Sequence, residues 1–147
     1  MQSRVRTWAP RRAEIEAWAN RALGRQAAGC ELAISVVGAA ESRRLNAQFR
    51  GRDKPTNVLS FPATRLPAVA EGSTRPLGDL VICPQVLRLE AREQCKSLRA
   101  HWAHLVVHGA LHLIGYDHVR EADARRMEKR EISVLRGFGF DNPYRSV

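Results

Sequence analysis

The stretch from His108 to His118, reading HGALHLIGYDH, constrains this chain more than any other. Two histidines four residues apart, if helical, stand one above the other on one face, where their ring nitrogens can converge on a point. Gly115 follows the last apolar pair, Leu113 and Ile114, and is placed as the left-handed residue that ends a helix. The chain can then double back over Tyr116 and Asp117 and bring His118 in from a third direction. Three neutral imidazoles aimed at one point make a zinc site with an open fourth position, which is the catalytic arrangement and not the structural one.

A histidine on an apolar helix face is ordinarily a satisfied core residue. Three within eleven residues, two at ligand spacing and one just past a helix-stopping glycine, form a different pattern. The segment also breaks two local rules. Gly109 sits inside the helical run, at a cost of about 1 kcal/mol relative to alanine, and polar rings interrupt Leu105, Val106, Val107, Leu111, Leu113 and Ile114. Such violations are expected where function chose the residue.

With 147 residues the chain reads as one domain, 1–147, large enough for a real core. No apolar run approaches about 18 residues, so no membrane span is expected. The basic N-terminus, Met1 to Arg12, has no apolar segment of the kind a secretory signal carries. Cys30, Cys83 and Cys95 make neither a disulfide framework nor a thiolate metal site, and point to a reducing, cytoplasmic setting. The formal net charge of +9, from 24 Lys+Arg against 15 Asp+Glu, favours a polyanionic partner such as nucleic acid.

Taken in order, the chain alternates elements in its first half. Pro10 can open a helix, whose apolar face is Ile15, Trp18, Ala19, Ala22 and Leu23, up to Gly24. Glu31 to Val37 reads as a strand, and Ala39 to Arg50 as a helix with Leu45 and Phe49 on its buried face and Gly51 as its stop. Val58 to Phe61 is a short strand closed by Pro62, and Asp79 to Cys83 a strongly apolar one. Between them, residues 63–77 read as a loop long enough to serve as a flap or a plain surface insertion. Helices follow from Pro84 to about Gln94, from about Leu98 to Ile114, and from about Glu121 to Leu135. Strands separated by helices, then helices only, predict an α+β domain with a small mixed sheet.

On a straight helix His101, His104, His108 and His112 fall within about 80° of one another. Only His108 and His112 are a turn apart and level with the return of His118, so the spacing assigns His104 a supporting role and His101 a surface or RNA-facing one. In the HExxH peptidase helix the residue after the first histidine is the glutamate that acts as general base. Here that position is Gly109, which disfavours a peptidase of that design. Three neutral ligands leave the ion its full charge, suited to polarising a phosphodiester and delivering hydroxide. Asp117 is a candidate proton-transfer partner, with turn formation or histidine orientation the more ordinary role.

A second constellation joins Arg43 and Arg44 to the run from Arg50 to Pro62, FRGRDKPTNVLSFP with its preceding phenylalanine. Arg50, Arg52 and Lys54 crowd a helix end and the loop after it, where guanidinium forks can meet phosphate. Thr56, Asn57 and Ser60 could add neutral hydrogen bonds to sugar and phosphate.

These residues carry a resemblance. The histidine segment is close to the signature of the YbeY family of bacterial endoribonucleases, and FRGRDKPTNVLSFP is similar to that family's second block. Asp79 to Ile82 after Leu77-Gly78, the run His101 to His104, and Gly139 to Tyr144 resemble it as well, so that the likeness covers about residues 31–144. It implies a small mixed, mostly parallel four-stranded sheet packed with about five helices, with the metal site in the C-terminal helical region. It implies a metal-dependent endoribonuclease specific for single strands, working on ribosomal RNA at the 3′ end of the small-subunit RNA and in ribosome quality control. Its partners would be ribosomal RNA and the small subunit, with no DNA and no membrane. His108, His112 and His118 align with the family's ligands, of one zinc ion, and Arg50 with its functionally important arginine; Arg50 and His108 are the catalytic candidates, and Arg50, Arg52 and Lys54 the candidate substrate contacts. Arg52 stands where the family often has lysine, which keeps the charge. A small hydrolase of another kind and a non-catalytic RNA-binding assembly factor stay open beside this reading.

Overall fold

A computed structural model describes residues 7–63, 75–117 and 119–145. The order of elements is α1 (Arg12–Leu23), a 3-10 turn (Gly24–Ala27), β1 (Cys30–Val36), α2 (Ala39–Arg50), β2 (Val58–Pro62), β3 (Arg75–Ile82), α3 (Pro84–Glu93), α4 (Leu98–Leu113) and α5 (Glu121–Gly137). Local chemistry sets most of these bounds. Ser97 accepts a hydrogen bond from Ala100 N at 3.1 Å and caps α4, Pro84 occupies the first turn of α3, and Gly51 ends α2 in the left-handed region at φ 69°, ψ 20°.

The sheet differs from the expected four mostly parallel strands. Among the described residues it has three, in the order β1-β3-β2, with β1 parallel and β2 antiparallel to the central β3. The antiparallel pair is formed by strands that are consecutive in the chain and adjacent in the sheet, the usual outcome for neighbours that need no crossover. β3 also begins four residues before the apolar run that signalled it. Its early part is irregular: the register against β1 slips between Glu31 and Leu32, and Gly78 adopts φ 151°. A Cβ at Gly78 would lie 2.4 Å from the Phe61 carbonyl oxygen, so only glycine lets β2 approach there. Of the long loop expected over 63–77, residues 64–74 lie outside the described ones and Arg75 to Leu77 are already strand.

α4 is the axis of the molecule. Trp102, Ala103, Val106, Val107, Ala110 and Leu111 are fully buried, which suits a helix apolar on most of its circumference. α1 covers it with Ile15, Trp18, Ala19, Ala22 and Leu23, α5 with Met127, Val134 and Leu135, and β2 and β3 with Val58, Leu80 and Ile82. At the crossing with the sheet, a Cβ on Gly109 would stand 2.8 Å from Leu80 Cδ2 and 3.4 Å from Ser60 Oγ. The glycine that costs helix propensity is what allows α4 to lie this close to β2 and β3.

Candidate metal centre

The four histidines of α4 form a ladder on one face, as the 100° rotation per residue requires. Successive rings meet edge to face, with centroids 6.3 Å apart for His101 and His104, 6.1 Å for His104 and His108, and 4.8 Å for His108 and His112. The ladder is served by carboxylates from two other helices.

Glu131 of α5 is the central one. It is wholly buried, and its Oε2 lies 2.7 Å from His104 Nε2 and 3.2 Å from His108 Nδ1. The Tyr144 hydroxyl donates to Oε1 at 2.7 Å and sits 3.2 Å from His104 Nε2. Burial alone would raise the carboxyl of Glu131, but the hydrogen bonds and charges of His104 and His108 outweigh it and bring it down to about 2. Burial also drives the His104 imidazole below its ordinary value, against the pull of Glu131. The same carboxylate holds the Tyr144 phenol far above its usual range, after burial itself. A carboxylate can only accept, so His108 donates from Nδ1, which in the neutral ring leaves the lone pair on Nε2.

Donor atoms of His104, His108 and Glu131 all lie within 4.8 Å of one another, so this cluster could hold a metal ion. Two imidazoles and a carboxylate suit zinc and other borderline divalent ions. His112 is its neighbour on the ladder; His118, the third ligand expected from the sequence, lies outside the described residues. Gly115 takes φ 101° after the last helical turn, as its position predicted. Asp117 Oδ1 accepts from Val119 N at 3.0 Å, a turn that closes on the aspartate's own side chain.

His101 is not at the surface. It is 3% exposed and places Nε2 2.9 Å from Glu90 Oε1. α3 packs beside α4 and supplies this second carboxylate, whose oxygens also accept from Asn57 Nδ2 at 3.1 and 3.2 Å. Asn57 Oδ1 accepts in turn from Val58 N at 2.6 Å. A second network thus ties the start of β2 to α3 and α4.

A family model described as endoribonuclease YbeY matches residues 3–139. The chain belongs to that family. Its fold is similar to the solution structure of TM1509 from Thermotoga maritima, with TM-score 0.57, 24% identity and 90% of each chain covered.

In this YbeY-family chain two of the arginines beside the basic loop are held in ion pairs. Arg43 forms a two-pronged pair with Asp53, at 2.7 and 3.0 Å, and Arg44 pairs with Glu41 at 2.6 Å. Arg50, Arg52 and Lys54 are exposed and have no carboxylate partner among the described residues. The loop is pinned from α2: Ser42 Oγ accepts from Thr56 N at 2.9 Å and donates to Thr56 O at 3.0 Å, and Asn46 Nδ2 donates to Lys54 O at 2.8 Å. Asn57 and Ser60 make hydrogen bonds within the protein; Ser60 Oγ donates to Gly109 O at 3.5 Å, and Asn57 bridges Glu90 and Val58 N. The inward face of α2 is therefore Ser42 and Asn46, while Leu45 is half-buried and Phe49 is 57% exposed, the reverse of the expected apolar face.

Glu131 was missed in the sequence. It shares a helical stripe with Met127, Val134 and Leu135, so an acid on the buried period of α5 was the available signal. Glu90 gave less: it stands on a charged helix and is recruited by packing alone.

Proposed function

We propose that this chain is a metal-dependent endoribonuclease that cuts single-stranded RNA during maturation of ribosomal RNA, at the 3′ end of the small-subunit RNA, and in ribosome quality control. The proposed partners are ribosomal RNA and the small subunit, in the cytoplasm, with neither DNA nor a membrane involved. The whole of 1–147 is read as one catalytic domain.

The observation that carries this reading is the bond from His108 Nδ1 to the buried Glu131 carboxylate, 3.2 Å long. It is the carboxylate–histidine arrangement that orients an imidazole and raises its basicity toward a metal at the other nitrogen. Glu131 already accepts from His104, His108 and Tyr144, so a metal bound to it directly would displace those donors. We therefore assign the ligands as His108, His112 and His118, with one zinc ion, and give Glu131 and His104 the supporting positions. When bound, such an ion lowers the pKa of a coordinated water toward about 7 and polarises a phosphodiester oxygen.

The chain's own residues do the rest. His108 belongs to both the ligand set and the supported ladder, and so couples the centre to α5. Arg50, at the last position of α2, is assigned to bind the substrate phosphate, with Arg52 and Lys54 extending the path. β2 links the two regions: Ser60 reaches Gly109 beside His108, and on the opposite side of the strand Phe61 meets Phe49, next to Arg50 in the chain, edge to face with centroids 5.1 Å apart.

Metal analysis of untagged protein, together with cleavage assays on structured RNA and on casein, tests the proposal. Bound metal and RNA cleavage that stops on chelation are expected. Casein cleavage without RNA cleavage, or RNA binding without turnover in either state, would overturn it.

A further inference from the structure

Phe49 is the anomaly of α2. It lies one residue before the helix end, at a position where the apolar spacing with Leu45 called for burial, yet 57% of it faces solvent. Its ring is nevertheless held in place. Phe61, half-buried on β2, meets it edge to face at a centroid distance of 5.1 Å and an interplanar angle of 70°. Edge-to-face pairs of this kind favour one ring orientation. The strand beneath is itself anchored, because Ser60 bonds Gly109 O on α4 and Phe61 pairs with Asp79 of β3. An exposed aromatic ring is thus fixed on a rigid element.

Its surroundings are cationic. Arg50, Arg52 and Lys54 follow within five residues, all exposed and none matched to a carboxylate among the described residues, whereas Arg43 and Arg44 on the same helix are both paired. The polypeptide that carries these cations is not loose. Buried Ser42 and Asn46 hold it through Thr56 and Lys54. A fixed aromatic ring beside unpaired positive charges is how proteins receive single-stranded nucleic acid, with phosphates on the cations and a base on the ring.

We propose that Phe49, braced by Phe61, is a base-stacking platform that accepts one unpaired nucleobase of the RNA while Arg50, Arg52 and Lys54 take its phosphates. The inference rests on the RNA-cleavage reading and deepens it, since it supplies a physical reason for single-strand selectivity. A base in a duplex already has both faces covered by its neighbours and cannot offer one to Phe49; a base in a loop or tail can. The stacking is indifferent to base identity, because every base has a π face. Positive charge alone would not separate single strands from duplex in this way.

The test uses a single-stranded oligoribonucleotide carrying 2-aminopurine, whose fluorescence falls on stacking, and the same sequence annealed into duplex. Probe integrity is checked on a gel after each titration. Phe49→Leu, which keeps apolar bulk but removes the π face, is expected to weaken single-strand binding roughly tenfold, to abolish the fluorescence change, and to leave duplex binding and the salt slope as they were. Phe49→Trp is expected to match or exceed wild type. Unchanged single-strand affinity in Phe49→Leu would overturn the platform and return the exposed ring to a protein contact. Equal losses for single strand and duplex would overturn it too, by pointing to displacement of the basic loop. Absence of RNA binding and cleavage in the wild type would be a failure of the functional reading itself, and is distinguishable because Phe49→Leu plays no part in it.

Discussion

His108 Nδ1 and Glu131 Oε2 stand 3.2 Å apart although 23 residues separate them in the chain, and the same oxygen lies 2.7 Å from His104 Nε2. One carboxylate of α5 thereby sets the orientation of two adjacent rungs of the histidine ladder. Two donor sets share His108, and they make opposite predictions.

If the metal is held by His108, His112 and His118, then His112→Ala loses it, while Glu131→Gln keeps it with about 10- to 100-fold weaker affinity, as loss of an orienting partner does. His101→Ala keeps it fully, since His101 is occupied with Glu90. Elemental analysis and competition with a chelating dye read all three. Full metal in His112→Ala with none in Glu131→Gln and His104→Ala would move the ion to the His104, His108 and Glu131 cluster.

Gly109→Ala sets helix propensity against packing. Alanine gains about 1 kcal/mol in a helix interior, but its Cβ would meet Leu80 Cδ2 at 2.8 Å, and Leu80 is fully buried with little room to turn. Overpacking of this kind costs about 1 to 3 kcal/mol. Thermal unfolding should show a lower Tm than wild type; an increase would mean that α4 and β3 can move apart.

The Glu90 carboxyl gives a pH prediction. Burial pushes it up, but the hydrogen bonds from His101 and Asn57 win and hold it below the ordinary carboxylate value of 4.5. A carboxyl depressed on folding contributes stability that is present above that value and is lost as pH falls below it. Glu90→Gln should accordingly be less stable than wild type at neutral pH, with the gap narrowing in acid below about 4.5. Denaturant titrations at neutral and acidic pH check this, and a gap independent of pH would assign the cost to shape alone.

Arg50→Ala should reduce RNA cleavage well before it alters metal content or Tm, and Arg50→Lys should restore only part, because a point charge cannot reproduce the guanidinium fork. For about four to six phosphate contacts on single-stranded RNA, affinity should fall with salt at a log–log slope of about −3 to −4, and neutralising Arg50, Arg52 and Lys54 together should flatten it by roughly two. Wild-type cleavage by Arg50→Ala would remove its assigned role. A steep slope kept by the triple variant would place the RNA path elsewhere.

Much of this protein is local and was legible as such. The stacking of His108 on His112 follows from 3.6 residues per turn, and the ends of α2 and α4 follow from glycines that tolerate positive φ. The start of α3 follows from Pro84, and the resemblance carried by the histidine segment and the basic loop matches the family shown for residues 3–139. Helical rotation and backbone sterics act over a few residues, so a short window of sequence contains them.

What the tertiary structure decided is which faces meet. α5 packs on α4 so that Glu131, acidic on a buried stripe, becomes the shared acceptor of the ladder, and α3 draws His101 inward with Glu90. α2 turns Ser42 and Asn46 inward, leaving Phe49 outside where apolar spacing placed it within. The sheet holds three described strands with one antiparallel pair, because β3 accepts its chain neighbour β2 directly. Each of these depends on a partner supplied by another element of the chain. A polar residue is buried when that partner satisfies its hydrogen bonds, and an apolar one is left outside when none arrives to cover it.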